Sequence, residues 1–183
     1  IHIAFLEMII DPVCSIVFEA ETAEDDAMRR PPRDPDQPLF SRALIVWGML
    51  QGLLVFALVA GVFVAGTYRA MPDTELRALT FFALVLSFVG LILINRSFSA
   101  SLLAALRRPN PLLAVMIGLV VALLAATLWS PWLRDLFNFG PLHADDLALT
   151  LGAALVVLIV LEVVKPLWRS RMRRPDQILH RIG

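Results

Sequence analysis

Long apolar blocks, separated by polar or proline-rich stretches, dominate the chain. Five such blocks cover residues 1–18, 43–67, 78–95, 111–129 and 147–164. Each is near or above the roughly 18 residues that a helix needs to cross a hydrocarbon core about 30 Å thick. Because backbone polar groups in lipid must be satisfied within the segment, helices are the expected form. The pattern predicts an all-α, polytopic membrane protein, built as a bundle of five transmembrane helices.

The composition agrees with this class. Of the 183 residues, 58% are hydrophobic and 17% are charged, and the mean hydropathy is +0.76. A soluble domain of this size carries more charge. Nucleic-acid binding has no support, since the net charge is zero and the basic residues flank the apolar blocks. The lipid bilayer is the expected partner, and an Arg-rich, Lys-poor composition favours a bacterial plasma membrane.

The basic residues also predict the orientation of the helices. Thirteen of the sixteen lie in residues 19–42, 96–110 or 165–183. The remaining three are Arg69, Arg77 and Arg134. Since cytoplasmic connections carry the excess of Lys and Arg, the loop 19–42 and the tail 165–183 are predicted to be cytoplasmic.

Two carboxylates lie inside the first apolar block. If that helix ends near Phe18, Asp11 is about 10 Å and Glu7 about 16 Å from its cytoplasmic end, at 1.5 Å per residue. Their spacing of four residues places them on one helix face, which Ser15 continues. An acid near the bilayer centre costs roughly 2.5–3.5 kcal/mol to insert, so its default explanation is an ion or proton pathway.

Pro12 adds a further oxygen ligand. It has no N–H and its ring clashes with the carbonyl of residue i−4, so the carbonyl of Met8 loses its helical partner. Hard cations such as Ca²⁺ take carboxylate and carbonyl oxygens. The candidate metal site is therefore Glu7 and Asp11, with the Met8 backbone carbonyl and Ser15 as further ligands. The alternative is that the acids pair with a basic residue on another helix and only fix packing.

These residues resemble a known family. The acids at i and i+4, the helix breaker and the loop stretch Met28-Arg29-Arg30-Pro31-Pro32-Arg33 are similar to the sixth membrane helix and following loop of type II P-type cation-transporting ATPases. This branch includes the calcium pumps and the sodium/potassium pumps. The rest of the chain resembles helices seven to ten more loosely, through Asn95-Arg96-Ser97 and, more weakly, Glu162 and Lys165.

The resemblance implies that residues 1–183 are the C-terminal transmembrane domain of an ATP-driven cation pump. Glu7 and Asp11 then occupy the two cation-binding positions of helix six, the first of which is usually Asn in calcium pumps. Ser87 and Phe88 stand where two-calcium pumps place a liganding Glu, which favours one ion per cycle.

The same resemblance divides the pump's work between this chain and its upstream part. The upstream helices and the ATPase head of the same polypeptide would be its partners. ATP and Mg²⁺ would act only through those missing domains, so no catalytic residue is expected in this fragment. The transported cation would be Ca²⁺ or another hard cation.

Two other functions stay open at this point. A secondary cation/proton transporter or channel would use the same acids as a proton relay. A non-transporting membrane anchor would leave the buried acids unexplained.

A close helix contact is predicted on the second apolar block. Gly48 and Gly52 form a GxxxG pattern, which lets another helix approach closely. By the resemblance, that partner is an upstream helix, and Gln51 is expected to hydrogen-bond across the same interface.

Overall fold

The computed structural model describes residues 2–20, 42–96 and 110–172, and no strand occurs in these ranges. Six helices form in the order α1 His2–Glu19, α2 Arg42–Tyr68, α3 Asp73–Asn95, α4 Pro111–Trp129, α5 Pro131–Phe137 and α6 Ala144–Met172. The all-α prediction is confirmed for this part of the chain. The loop motif of residues 28–33 and the tail after 172 lie outside the described residues.

Four of these helices are long and apolar enough to cross a membrane, namely α2, α3, α4 and the Ala144–Trp168 part of α6. Together they make the chain an integral, multi-pass membrane protein. α1 is not among the four, because its 18 residues include Glu7, Asp11 and Glu19. That α1 is a fifth crossing therefore stays a prediction.

Two helices extend beyond the apolar blocks that predicted them. α3 begins at Asp73, before the expected residue 78, because Asp73 and Glu75 place negative charge at the positive end of the helix dipole. α6 continues through Pro166 to Met172. Apolar length marks only the lipid-embedded part of a helix, and these ends are polar.

The short helix α5 was not predicted, and local capping explains it. The side chain of Ser130 accepts a hydrogen bond from the backbone N–H of Leu133, and Pro131 occupies the first helical turn. Asn138 ends the helix in the left-handed conformation with a φ of 51°, which Asn tolerates better than most residues. The chain therefore leaves helical geometry twice between α4 and α6, at Ser130 and after Phe137.

α3 is the central helix of the bundle. Within its membrane-spanning window 56% of the residues are buried, against 17% for α2. On one side, α3 packs with α1 and α4 in a single apolar cluster whose buried members include Ile9, Val13, Val85 and Val120. On the other side it packs with α2 and α6, and a second cluster contains Trp47, Ile94 and Leu161. α1 and α6 thus lie on different sides of α3.

Candidate cation site on helix α1

The predicted ligands share the open face of α1. Glu7, Asp11 and Ser15 are all exposed, whereas Ile9, Val13 and Val17 are buried against α3 and α4. Apolar side chains at a spacing of four form the packed stripe, so the acids turn away from the bundle. The structure therefore brings the three polar side chains onto one surface, and none of the other described helices covers them.

The helix is continuous at Pro12, which lies inside the range His2–Glu19. The ring nitrogen of Pro12 cannot donate, so the carbonyl oxygen of Met8 has no N–H four residues further on. No group of three or more His, Cys, Asp or Glu side chains that could hold a metal occurs among the described residues. Ca²⁺ takes roughly six to eight oxygen ligands. The ligands of α1 are too few to complete such a shell.

Nothing in the described bundle supports the packing alternative. The ion pairs there join Arg69 to Asp146, His143 to Asp146, and Lys165 to Glu162. None of them involves an acid on the open face of α1. A role in pairing with a basic residue of these helices therefore has no structural basis.

Ser87 lies away from the acids, on the other side of α3. It is buried, and its hydroxyl donates to the carbonyl of Ala83 over 2.7 Å. It lines a void of about 10 Å³ together with residues of α2 and α6, such as Val55 and Leu158. Because Ser87 faces α2 and α6 and not α1, this position supplies no ligand to the α1 site.

Gln51 has a different partner from the one expected. Its Nε2 donates to Asn95 Oδ1 over 3.0 Å, and Asn95 Nδ2 donates back to Gln51 Oε1 over 3.1 Å. Gln51 thus joins α2 to α3, and the prediction of an upstream partner for this side chain was wrong. The neighbouring Gly48 and Gly52 are exposed, with no atom within 4 Å of a Cβ built on either.

A buried lysine joins α3 to α6 at the same end of the bundle. Lys165 is 4% exposed, and its Nζ donates to the backbone carbonyl of Ile94 over 2.9 Å. Its Nζ also lies 3.9 Å from Glu162 Oε2. A cation suits this place, because the last carbonyls of a helix lack helical partners and carry partial negative charge.

A third polar link joins α6 to α2. Trp168 Nε1 donates to the carbonyl of Ala43 over 3.1 Å, and the Trp168 ring stacks on Trp47 at 6.1 Å. We call the three links, Gln51–Asn95, Lys165–Ile94 and Trp168–Ala43, the polar ring. Sequence reasoning noted Lys165 only as a weak resemblance. Lys165 is the chain's one lysine and directly follows an apolar block, and this position could have indicated a structural role.

The opposite end of the bundle carries a residue that sequence reasoning missed. His2, at the start of α1, places Nε2 2.8 Å from the carbonyl oxygen of Phe137. It also lines a cleft of about 560 Å³, with mainly apolar walls that include Met71 and Phe81. Neither Glu7 nor Asp11 lines this cleft. The sequence feature that could have drawn attention to His2 is a single histidine at the start of an apolar helix, in a chain with 11 Phe residues.

Comparison with known proteins identifies the family. A family model described as "Cation transporting ATPase, C-terminus" matches residues 1–167. The chain belongs to this family. The resemblance to the C-terminal membrane domain of P-type cation ATPases is thereby confirmed.

Two curated relatives agree with this membership. The chain is 27% identical over 183 residues to "Calcium-transporting ATPase type 2C member 2" of Mus musculus, covering 97% of this chain and 19% of the relative. It is 26% identical over 182 residues to "Calcium-transporting ATPase 1" of Bacillus cereus, covering 90% of this chain and 20% of that protein. The chain therefore spans about a fifth of the length of these relatives.

Proposed function

We propose that this chain is the C-terminal membrane domain of an ATP-driven cation pump, in which α1 supplies Glu7 and Asp11 to the transmembrane ion site. One observation carries the proposal. In a chain of the cation-transporting ATPase family, both acids lie on the single face of α1 that the other described helices leave open. A carboxylate in an apolar helix is costly, and an ion ligand is the role that offsets the cost.

In this proposal α1 also crosses the membrane, which brings the number of crossings in the chain to five. Its 18 residues are about 27 Å long at 1.5 Å per residue, which is close to the thickness of the hydrocarbon core. The loop 19–42 and the tail 165–183 then face the cytoplasm, and the His2 end of the bundle faces outward. The membrane is a bacterial plasma membrane.

The remaining ligands come from helices upstream of this chain. The α1 face offers two carboxylates, the Ser15 hydroxyl and the Met8 carbonyl, and the upstream helices complete the oxygen shell. The upstream head binds ATP and Mg²⁺ and is phosphorylated. The cation is Ca²⁺ or another hard cation, in line with the names of the two relatives.

Transport follows from a change in which side of the membrane the acids face. Two carboxylates attract the cation in the cytoplasm-facing state, and phosphorylation of the head shifts α1 to an outward-facing state in which the cation leaves. A ligand moves such an equilibrium only through its differential affinity for the two states. α2, α3 and α6 form the static scaffold, because the polar ring ties their ends together.

One ion per cycle is the stoichiometry that α3 favours. Where two-calcium pumps place a liganding Glu, this chain has Ser87 and Phe88, and neither side chain carries a charge. α3 therefore adds no charge to a second site.

The test uses the full-length protein with Glu7→Gln and Asp11→Asn, which keep size and hydrogen-bonding ability. Each variant should raise the cation concentration for half-maximal phosphorylation at least about tenfold, since losing a hydrogen-bonded charge costs ~1.5–3 kcal/mol. Asp11→Asn should be the more severe, because Asp11 adjoins Pro12 on the cytoplasmic-entry side. Glu19→Gln, at the end of the same helix, is the matched control and should behave as wild type. Near-normal cation affinity in both acid variants would refute the site.

A further inference from the structure

His2 makes the one hydrogen bond that joins α1 to another element within residues 2–20, 42–96 and 110–172. Its Nε2 lies 2.8 Å from the carbonyl oxygen of Phe137 at the end of α5. A carbonyl oxygen only accepts, so Nε2 carries the proton and donates it. The other contacts of α1 with α3 and α4 are apolar, through Ile9, Val13 and Val17.

Contacts with three aromatic rings hold the imidazole in its orientation. The centroid of the His2 ring is 5.2 Å from that of Phe139, 5.8 Å from that of Phe137 and 6.2 Å from that of Phe81. Phe137 and Phe139 are themselves buried. Such ring pairs have preferred tilts, so a change in the angle of the imidazole is opposed.

The acceptor is fixed in turn by the start of α3. Arg77 Nη1 donates to the carbonyl of Asn138 over 3.2 Å, one residue after the acceptor. The backbone N–H of Gly140 donates to the carbonyl of Thr74 over 2.9 Å. The carbonyl of Phe137 is thus at the end of a segment that is hydrogen-bonded to the central helix, and His2 connects α1 to that segment.

We propose that His2 is a positioning residue for the carboxylates of α1, an inference that rests on the proposed function. Apolar packing is non-directional and restrains the sliding and rotation of a helix less strictly, whereas a hydrogen bond has a required distance and angle. The bond at His2 therefore sets the axial position and rotation of α1. Glu7 and Asp11 follow about 7.5 and 13.5 Å along the helix axis.

During transport, the hydrogen bond at His2 makes that end of α1 a fixed pivot for the helix. When α1 moves, its His2 end stays on the scaffold, and the displacement grows towards Asp11. Without the bond, the acids would sample several rotations, and a cation would have to select the productive one. The apparent cation affinity falls by the fraction of the competent state.

The test compares two substitutions at position 2 in the intact pump. His2→Phe keeps an aromatic ring and removes the donor, whereas the amide of His2→Gln can place an N–H near the position of Nε2. His143→Phe is the matched control, because the side chain of His143 is 73% exposed. The cation concentration for half-maximal phosphorylation and the KM for ATP are measured on each protein.

A second readout reports the position of α1 directly. Nitroxide labels on Ile3→Cys and Trp132→Cys, at sites 72% and 70% exposed on α1 and α5, give a distance distribution in a protein whose native cysteines, including Cys14, are replaced. His2→Phe should broaden this distribution relative to the labelled protein that keeps His2, and His2→Gln should restore the narrower distribution.

In the kinetic arm, His2→Phe should raise the half-maximal cation concentration about three- to tenfold, as expected for the loss of one hydrogen bond. The KM for ATP should not change, and His2→Gln and His143→Phe should match wild type. Unchanged cation affinity in His2→Phe, or an equal defect in His2→Gln, would overturn the proposal. If His2→Phe does not fold, His2→Asn, whose amide is too short to reach the acceptor, replaces it.

The two proposals fail in different ways. A wild-type protein without any cation-dependent phosphorylation would refute the pump function, and the label distances would still decide whether His2 fixes α1. Narrow distances in every variant would refute the role of His2 and leave the test of Glu7 and Asp11 untouched.

Discussion

Lys165 donates a hydrogen bond from its Nζ to the backbone carbonyl of Ile94 over 2.9 Å, at the point where α3 ends. The ammonium group thus acts as a C-terminal cap supplied by another helix. It is also 4% exposed, so its charge depends on partners within the protein. This contact makes the end of α6 part of the scaffold.

Replacement of this lysine should destabilise the bundle. Lys165→Met keeps the apolar stem and removes the donor, so it should lower the free energy of unfolding by about 1–3 kcal/mol. The measurement is thermal or denaturant unfolding of the full-length protein in detergent. Glu162→Gln in the Lys165→Met background should recover part of the loss, because the half-buried carboxylate near the lost charge is then neutral. Arg42→Gln, at an exposed position, is the control. Equal stability of Lys165→Met and wild type would contradict the capping role.

The Gln51–Asn95 pair predicts a non-additive double mutant. Gln51→Leu leaves the amide of Asn95 without its reciprocal partner in a half-buried place, which should cost about 1–3 kcal/mol of unfolding free energy. The double variant Gln51→Leu/Asn95→Leu removes both polar groups and should be close to wild type. A double variant as unstable as the sum of the singles would show that the two amides act independently.

Gly140 should not tolerate a side chain. A Cβ at this position would lie 2.8 Å from the backbone nitrogen of Glu75 and 2.8 Å from Thr74 Oγ1. Since backbone has to move, Gly140→Ala should destabilise by about 1–3 kcal/mol. Gly118→Ala is the matched control, because no atom lies within 4 Å of a Cβ built there. Thermal unfolding of both variants checks the prediction, which fails if the two are equally stable.

The proposed topology has a direct test in the full-length protein. Single cysteines placed in residues 21–41 or 170–183 should react with a membrane-impermeant reagent from the cytoplasmic side. Those in residues 69–75 or 134–145 should react from outside. The reason is the excess of Arg and Lys on one side of the predicted crossings. Reversed accessibility for either pair would show that the predicted orientation of α2 to α6 is wrong.

Sequence alone predicted the helices better than the faces by which they pack. α2 and α4 are apolar all round, so no periodicity indicates which side meets a neighbour. For this reason Gln51 was given the wrong partner. In α1 the acids break the symmetry, and their spacing of four was enough to place Glu7, Asp11 and Ser15 on one face.

Contacts between distant residues explain the other differences. α5 depends on two caps in a stretch without a long apolar block, so hydropathy does not reveal it. The hydrogen bond of His2 depends on a carbonyl 135 residues away in the chain. The burial of Lys165 likewise depends on the end of α3, which the sequence of α6 does not describe.

The polar ring also has a consequence for how the protein is made. Since α6 follows α2 and α3 in the chain, the ribosome completes it after both of them. The amide pair between α2 and α3 can form first. The hydrogen bonds to the carbonyls of Ile94 and Ala43 form only after α6 supplies Lys165 and Trp168. Until α6 is inserted, the nascent bundle therefore lacks two of the three links of the polar ring, and the C-terminal end of α3 lacks its lysine cap.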